Sequence, residues 1–189
     1  IVKGDTESNS EEFDGLQVRC IGDQRIDAGA TGGGDVLSLA KLDEVYDAVE
    51  DPTHWLMNKT MRRRLTAAAR LYTVGGYITY EKDEFGRTVT MYNDLPILIA
   101  DKDNNYDEIM PFTEAAASST SQCTSIYCLS FAENGVVGIQ NGEMDVRDMG
   151  EIDEKPVYRT RVEWLISIAV LRARAVARLR YIKDGAVAA

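Results

Sequence analysis

The chain has 189 residues, 44% of them apolar and 28% charged, which is enough to bury one core of ordinary domain size. Thirty-one acidic residues against 21 basic ones leave a net charge of −10, so the chain has no global attraction to nucleic acid or anionic lipid. No apolar run reaches the ~18–20 residues of a membrane span, and the sparse Cys20, Cys123 and Cys128 point to reduced, buried thiols rather than a disulfide scaffold or zinc motif.

Residues 1–14 are polar, with an acidic cluster at Glu7, Glu11, Glu12 and Asp14, and Phe13 and Leu16 read as anchors. The glycine-rich stretch 27–34 reads as a loop. Asp35 is then a candidate N-cap for a helix over about 36–50, where Leu39, Leu42, Val45, Tyr46 and Val49 recur at helical spacing. Asp51-Pro52 stops it. Trp55-Leu56-Met57 reads as a short buried strand. Asn58 can cap a helix over about 59–71, with Met61, Leu65, Ala68 and Tyr72 on one face and Arg62, Arg63 and Arg64 spread over the others.

Strands are expected at 77–80 and 88–92 around a turn containing Gly86, and again at 95–100. A polar loop spans 101–108, and 113–124 carries no clear signal. Asn134-Gly135 and Asn141-Gly142 are strong hairpin signals and predict a meander of strands near 125–132, 136–140 and 143–149. A loop is expected at 148–156. Over 157–171, Tyr158, Val162, Trp164, Ile166, Ile168 and Val170 alternate with Arg159, Arg161, Glu163 and Ser167, which predicts one long strand with a buried face. Arg172, Arg174, Arg178 and Arg180 follow, and the terminal 184–189 reads as frayed.

Catalytic chemistry is not legible. His54 is the only histidine and has no nucleophile or orienting partner nearby in sequence. The stretch 31–35 lacks the ending of a phosphate-binding loop. Asp101, Asp103 and Asn105 begin like a calcium loop, but Tyr106 and Phe112 stand where the glycine and the bidentate Glu belong. No cofactor or metal is expected. Arginine makes bidentate, geometrically specific ion pairs, so Arg62, Arg63, Arg64, Arg70, Arg172 and Arg174 are the candidate subunit contacts.

Three stretches resemble tailed-bacteriophage major capsid proteins. Residues 3–16 (KGDTESNSEEFDGL) are similar to the segment that follows the family's spine helix. Residues 55–65 (WLMNKTMRRRL) and 92–103 (YNDLPILIADKD) resemble its short strand, Asn-capped helix and later Pro-containing strand. Residues 162–185 resemble its C-terminal strand and basic tail. The resemblance implies an α+β, Hong Kong 97-like fold, with a mixed sheet and flanking helices forming an axial domain and part of a peripheral domain. Residues 1–20 would enter from the peripheral domain, 21–150 form the axial domain, and 151–189 return to the peripheral domain. The family's N-terminal arm, extended loop and spine helix have no counterpart in the sequence, which reads as a trimmed or processed chain.

The implied function is structural: self-assembly into hexamers and pentamers of an icosahedral head, assembled in the bacterial host cytoplasm, enclosing DNA without reading it. Scaffolding, portal or decoration proteins would be further partners. An encapsulin-like cargo compartment with the same fold is the alternative, and an α/β enzyme built on His54, Cys20, Asp35 or Asp101 is the third reading.

Overall fold

The computed structural model describes residues 2, 4–7, 12–29, 33–70, 78–82, 86–117, 122–152 and 155–188. Most strands join one nine-stranded mixed sheet. Its spine is β8 (Gln122–Leu129), buried along nearly its whole length on both faces. That is the behaviour of a strand covered from both sides. On one flank β8 pairs antiparallel with β13 (Val176–Ala188), which in turn carries β1 (Arg25–Asp27) and β2 (Asp35–Ser38) in parallel. On the other flank come β3 (His54–Asn58), β6 (Leu95–Ala100), β5 (Thr88–Tyr92) and β4 (Ile78–Lys82). The two-residue β7 (Glu114–Ala115) also pairs with β8.

Alternation along these strands sends residues to two cores. Trp55 and Met57 of β3, Ile126 and Cys128 of β8, and Leu179 and Ile182 of β13 face one side. There they meet Leu42 and Val45 of α2 (Leu39–Ala48) and Met61 and Leu65 of α3 (Lys59–Ala69). The Trp55 indole donates to the Tyr92 carbonyl at 3.2 Å and meets the Tyr92 ring edge-on at 5.9 Å. Tyr127, Leu129 and Val176 face the opposite side and pack with Leu16 and Cys20 around the short α1 (Leu16–Arg19).

The expected Asn58 cap is present: its Oδ1 accepts from the Met61 amide at 2.8 Å. The strands at 55–57, 78–82, 88–92 and 95–100 and the loop at 101–108 also follow the sequence reading. Tyr72, Tyr77 and positions 83–85 of the hairpin turn lie outside the described residues.

Several expectations are corrected. The helix predicted from 36 begins at Leu39, because Asp35–Ser38 pairs with β13. The Asp35 carboxylate accepts from the adjacent Val36 amide instead of capping a helix. The meander does not form: β8, β9 (Val136–Gln140) and β10 (Asp145–Ile152) each take a different partner. The Asn-Gly pairs therefore mark turns that redirect the chain. In place of the loop expected at 148–156, residues up to Ile152 belong to β10 and those from Lys155 to β11 (Lys155–Glu163), which pair antiparallel; 153 and 154 lie outside the described residues. The single strand expected at 157–171 is two, β11 and β12 (Ile166–Val170), on different partners. The terminal segment is not frayed, since β13 runs to Ala188. Among the described residues, β13 lies inside the main sheet, while the strands between β8 and β13 pair with one another.

Among the described residues no helix is long and apolar enough to cross a membrane.

Candidate functional site

The segment between β8 and β13 leaves the main sheet and builds two small sheets whose faces are largely uncovered. In the first, β9 pairs antiparallel with β12 from Val136↔Val170 to Gln140↔Ile166. Val136 and Ile168 anchor it on the core around Leu16 and Leu129. The rest walls an apolar groove of about 540 Å³ lined by residues including Phe13, Leu56, Leu98, Phe131, Ile139 and Trp164. Phe131, Ile139, Trp164, Leu165 and Ile166 are exposed. A contiguous apolar surface of this kind marks an interaction site more often than a solvated one.

The second sheet is the ribbon β10–β11. Its register places Val146 opposite Val162, Asp145 opposite Glu163, and Arg147 opposite Arg161. Val146, Tyr158 and Val162 remain exposed on one face. The other face is charged and carries Arg147, Arg159 and Arg161; Arg147 pairs with Asp145 at 2.6 Å and Arg161 with Glu163, each two residues away on its own strand. Sequence reading missed this arrangement because placing a loop at 148–156 hid the pairing of the strands.

The six candidate contact arginines are not brought together. Arg64 on α3 pairs with Asp184 of β13 at 2.8 Å, which holds its guanidinium further above its already high ordinary pKa. Arg172 pairs with Glu50 at 3.0 Å and donates to the Glu50 carbonyl. Both therefore have partners within the chain. Arg62 is half-buried, and its Nε has no hydrogen-bond partner among the described residues. Arg63, Arg70 and Arg174 are exposed.

The two remaining arginines of the C-terminal run, which the sequence grouped with Arg172 and Arg174, turn inward. Arg178 is buried, pairs with Glu114 at 3.0 Å, donates to Ser125 Oγ at 2.9 Å and lies over the Tyr127 ring. Arg180 pairs with Asp27.

The raw material for catalysis is scattered. His54 opens β3, with its Nδ1 3.0 Å from Thr53 Oγ1 and its ring edge-on to Phe131; partial burial lowers its pKa. Burial pushes the Cys20 thiol up to about 11 and the Cys128 thiol to about 12, so both are held as unreactive thiols. Asp103 accepts from the Asn105 and Asp107 amides, closing its own loop, and Asp101 pairs with Lys59. Gly34 of the glycine-rich stretch has φ +76, and a Cβ there would meet Cys123 Sγ at 2.8 Å and the Tyr181 carbonyl at 2.9 Å. That glycine serves close packing. Among the described residues, no group of three His, Cys, Asp or Glu is placed to hold a metal ion.

Comparison with known proteins identifies the fold. The chain matches the structure of the holo-SrpI encapsulin complex from Synechococcus elongatus PCC 7942 with a TM-score of 0.65 and 20% sequence identity. The match covers 93% of this chain and 59% of that one, so the chain spans about three fifths of that structure's length. No protein-family model matches the sequence, and no curated protein matches it. The architecture is thus the α+β Hong Kong 97-like fold expected from the motifs. The likeness is to an encapsulin at 20% identity, so it carries the fold without the finer expectation of a tailed-phage capsid protein.

Proposed function

We propose that the chain is a structural subunit of a self-assembling protein shell, closer in kind to an encapsulin compartment than to a phage head. The observation that carries this reading is the Hong Kong 97-like fold over 93% of the chain, shared with an encapsulin. The uncovered groove and ribbon support it, because they are surfaces that only a further element or another copy would remove from water. In such a shell the work is geometric. Head-to-tail contacts close into rings, and many individually weak contacts engaged together give a stable assembly. Arg63, Arg70 and Arg174, exposed on the outside of the fold, are the arginines of the original set best placed to set register between copies.

Negative-stain microscopy of the purified full-length protein tests the reading. Closed shells or capsomer rings are the expected result, and monomers at all concentrations would overturn it. The contents separate the two kinds of shell: a co-purifying protein cargo favours the compartment. Enclosed duplex DNA favours the phage head, which the motifs at 55–65 and 162–185 resemble. Replacing Arg63, Arg70 and Arg174 together with Ser should weaken ring formation while leaving subunit folding intact.

A further inference from the structure

The charged face of the β10–β11 ribbon is arranged in a way that its own strand pairing does not explain. Directly opposite positions carry like charges, Asp145 against Glu163 and Arg147 against Arg161. Like charges directly opposite one another destabilise an antiparallel pair. Exchanging Arg161 and Glu163 would put opposite charges across the strands with the same composition. Among the described residues the ribbon is also a sheet of two strands, and such a sheet is marginal in water by itself. The four side chains share one face, since opposite partners and second neighbours along a strand point the same way. They form a row of two carboxylates and, about 6.6–6.8 Å along the ribbon, a row of two guanidiniums, with Arg159 extending the guanidinium end of the face.

We infer that this face docks on the same face of a second copy of the chain, related by a two-fold axis lying across the strands midway between the two rows. That rotation carries the carboxylate row onto the guanidinium row and the reverse. Arg147 then faces the other copy's equivalent of Asp145, and Arg161 the equivalent of Glu163, with both contacts repeated by symmetry. The surface is self-complementary, as an isologous contact requires. A polyanion such as nucleic acid would meet the arginine row but be repelled by the carboxylates beside it. A basic partner meets the converse problem. A partner must therefore present both rows in reversed order, and the rotated ribbon does so.

Each guanidinium offers five N–H donors, so it keeps donors for the second copy beyond its pair along the strand. The inference deepens the shell reading by naming one contact between copies.

Paired charge-reversal variants of the full chain test it, with dimerisation followed by sedimentation equilibrium. Arg147→Glu with Arg161→Glu turns the guanidinium row acidic and leaves Arg159 as a cation beyond it; Asp145→Arg with Glu163→Arg turns the carboxylate row basic. Each variant alone should dimerise at least about tenfold more weakly than the native chain, and an equimolar mixture should recover association. Native dimerisation should also weaken as salt rises, because the pairs are exposed. Should either reversal unfold the ribbon, as judged by circular dichroism, Arg147→Gln with Arg161→Gln removes the attraction without adding repulsion and should still weaken association. Unchanged dimerisation in the folded variants, no recovery on mixing, or a native chain that stays monomeric would each overturn the inference. Microscopy keeps the two readings apart. Shells that form equally well from native and charge-reversed chains refute the ribbon contact and leave the shell reading standing. Salt-sensitive dimers without shells do the opposite.

Discussion

Asn58 joins three parts of the fold, and replacing it gives a graded test of how. Its Oδ1 caps α3 by accepting from the Met61 amide at 2.8 Å. Its Nδ2 donates to the Met110 carbonyl at 2.9 Å and to Thr124 Oγ1 at 3.3 Å, tying the segment after the 101–108 loop to β8. The side chain is only 4% exposed, so water cannot replace these bonds. Loss of the cap costs about 1 kcal/mol. Loss of the donor to a buried carbonyl costs about 1–3 kcal/mol. The lower part of that range applies, because the Thr124 hydroxyl still reaches the Met110 carbonyl at 3.5 Å. Asn58→Ala should therefore destabilise the subunit by about 2–3 kcal/mol, a large share of the roughly 5–15 kcal/mol typical of a domain.

Asn58→Ser keeps a capping oxygen and loses the long reach, so about 1–2 kcal/mol is expected. Asn58→Asp also keeps the cap but sets a carboxylate against the Met110 carbonyl, and should fall below Ser at neutral pH and recover on acidification. Urea unfolding of the dissociated subunit, read as a shift in midpoint at constant slope, supplies the comparison. Equal stability of the Ser and Ala variants would show that the cap contributes nothing. A cost below about 0.5 kcal/mol for Ala would refute the whole account.

Gly34→Ala should lower stability by about 2–4 kcal/mol, since it adds a clash with Cys123 and the Tyr181 carbonyl to an unfavourable φ. Gly22→Ala, with φ +62 and open space around it, should cost only about 1 kcal/mol, and equal melting temperatures for the two would refute the packing argument. Arg178→Met strands the Glu114 carboxylate in the interior and should cost about 3–5 kcal/mol; adding Glu114→Leu should recover part of it in urea melts, and no recovery would mean the pair is not the cause. The Cys20 and Cys128 thiols titrate near 9 when unfolded and are pushed to about 11 and about 12 in the fold. Between those values the native chain holds more protons, so their contribution is complete below pH 9 and is lost as pH rises toward 11–12. Urea midpoints should drop between neutral pH and about pH 10.5, less so in a Cys20→Ala/Cys128→Ala chain, and identical profiles would refute the assignment.

What the sequence determined by itself is local. Asn58 before an amphipathic run, the apolar Trp55–Met57 and the strands flanking Gly86 carry their signals within a few residues, and the structure repeats them. The motifs also led to the Hong Kong 97-like fold, which the comparison of structures bears out. What tertiary structure decided is which strand lies beside which. Period-two alternation over 157–171 says that side chains take opposite faces, but it does not say what covers them. The chain breaks at Trp164-Leu165 because β12 finds β9 and β11 finds β10. Asp35–Ser38 becomes strand rather than the first turn of a helix because the open edge of β13, some 150 residues later, supplies its ladder bonds.

The same limit applied to the arginines. Arg172, Arg174, Arg178 and Arg180 look alike in sequence, yet Glu50, Glu114 and Asp27 claim three of them from distant segments. The like-charged rows of the ribbon emerge only once its register is fixed. A hydrogen-bonding edge or a buried charge is satisfied by whatever the fold brings near, and that nearness is set by packing of the whole chain rather than by neighbouring residues.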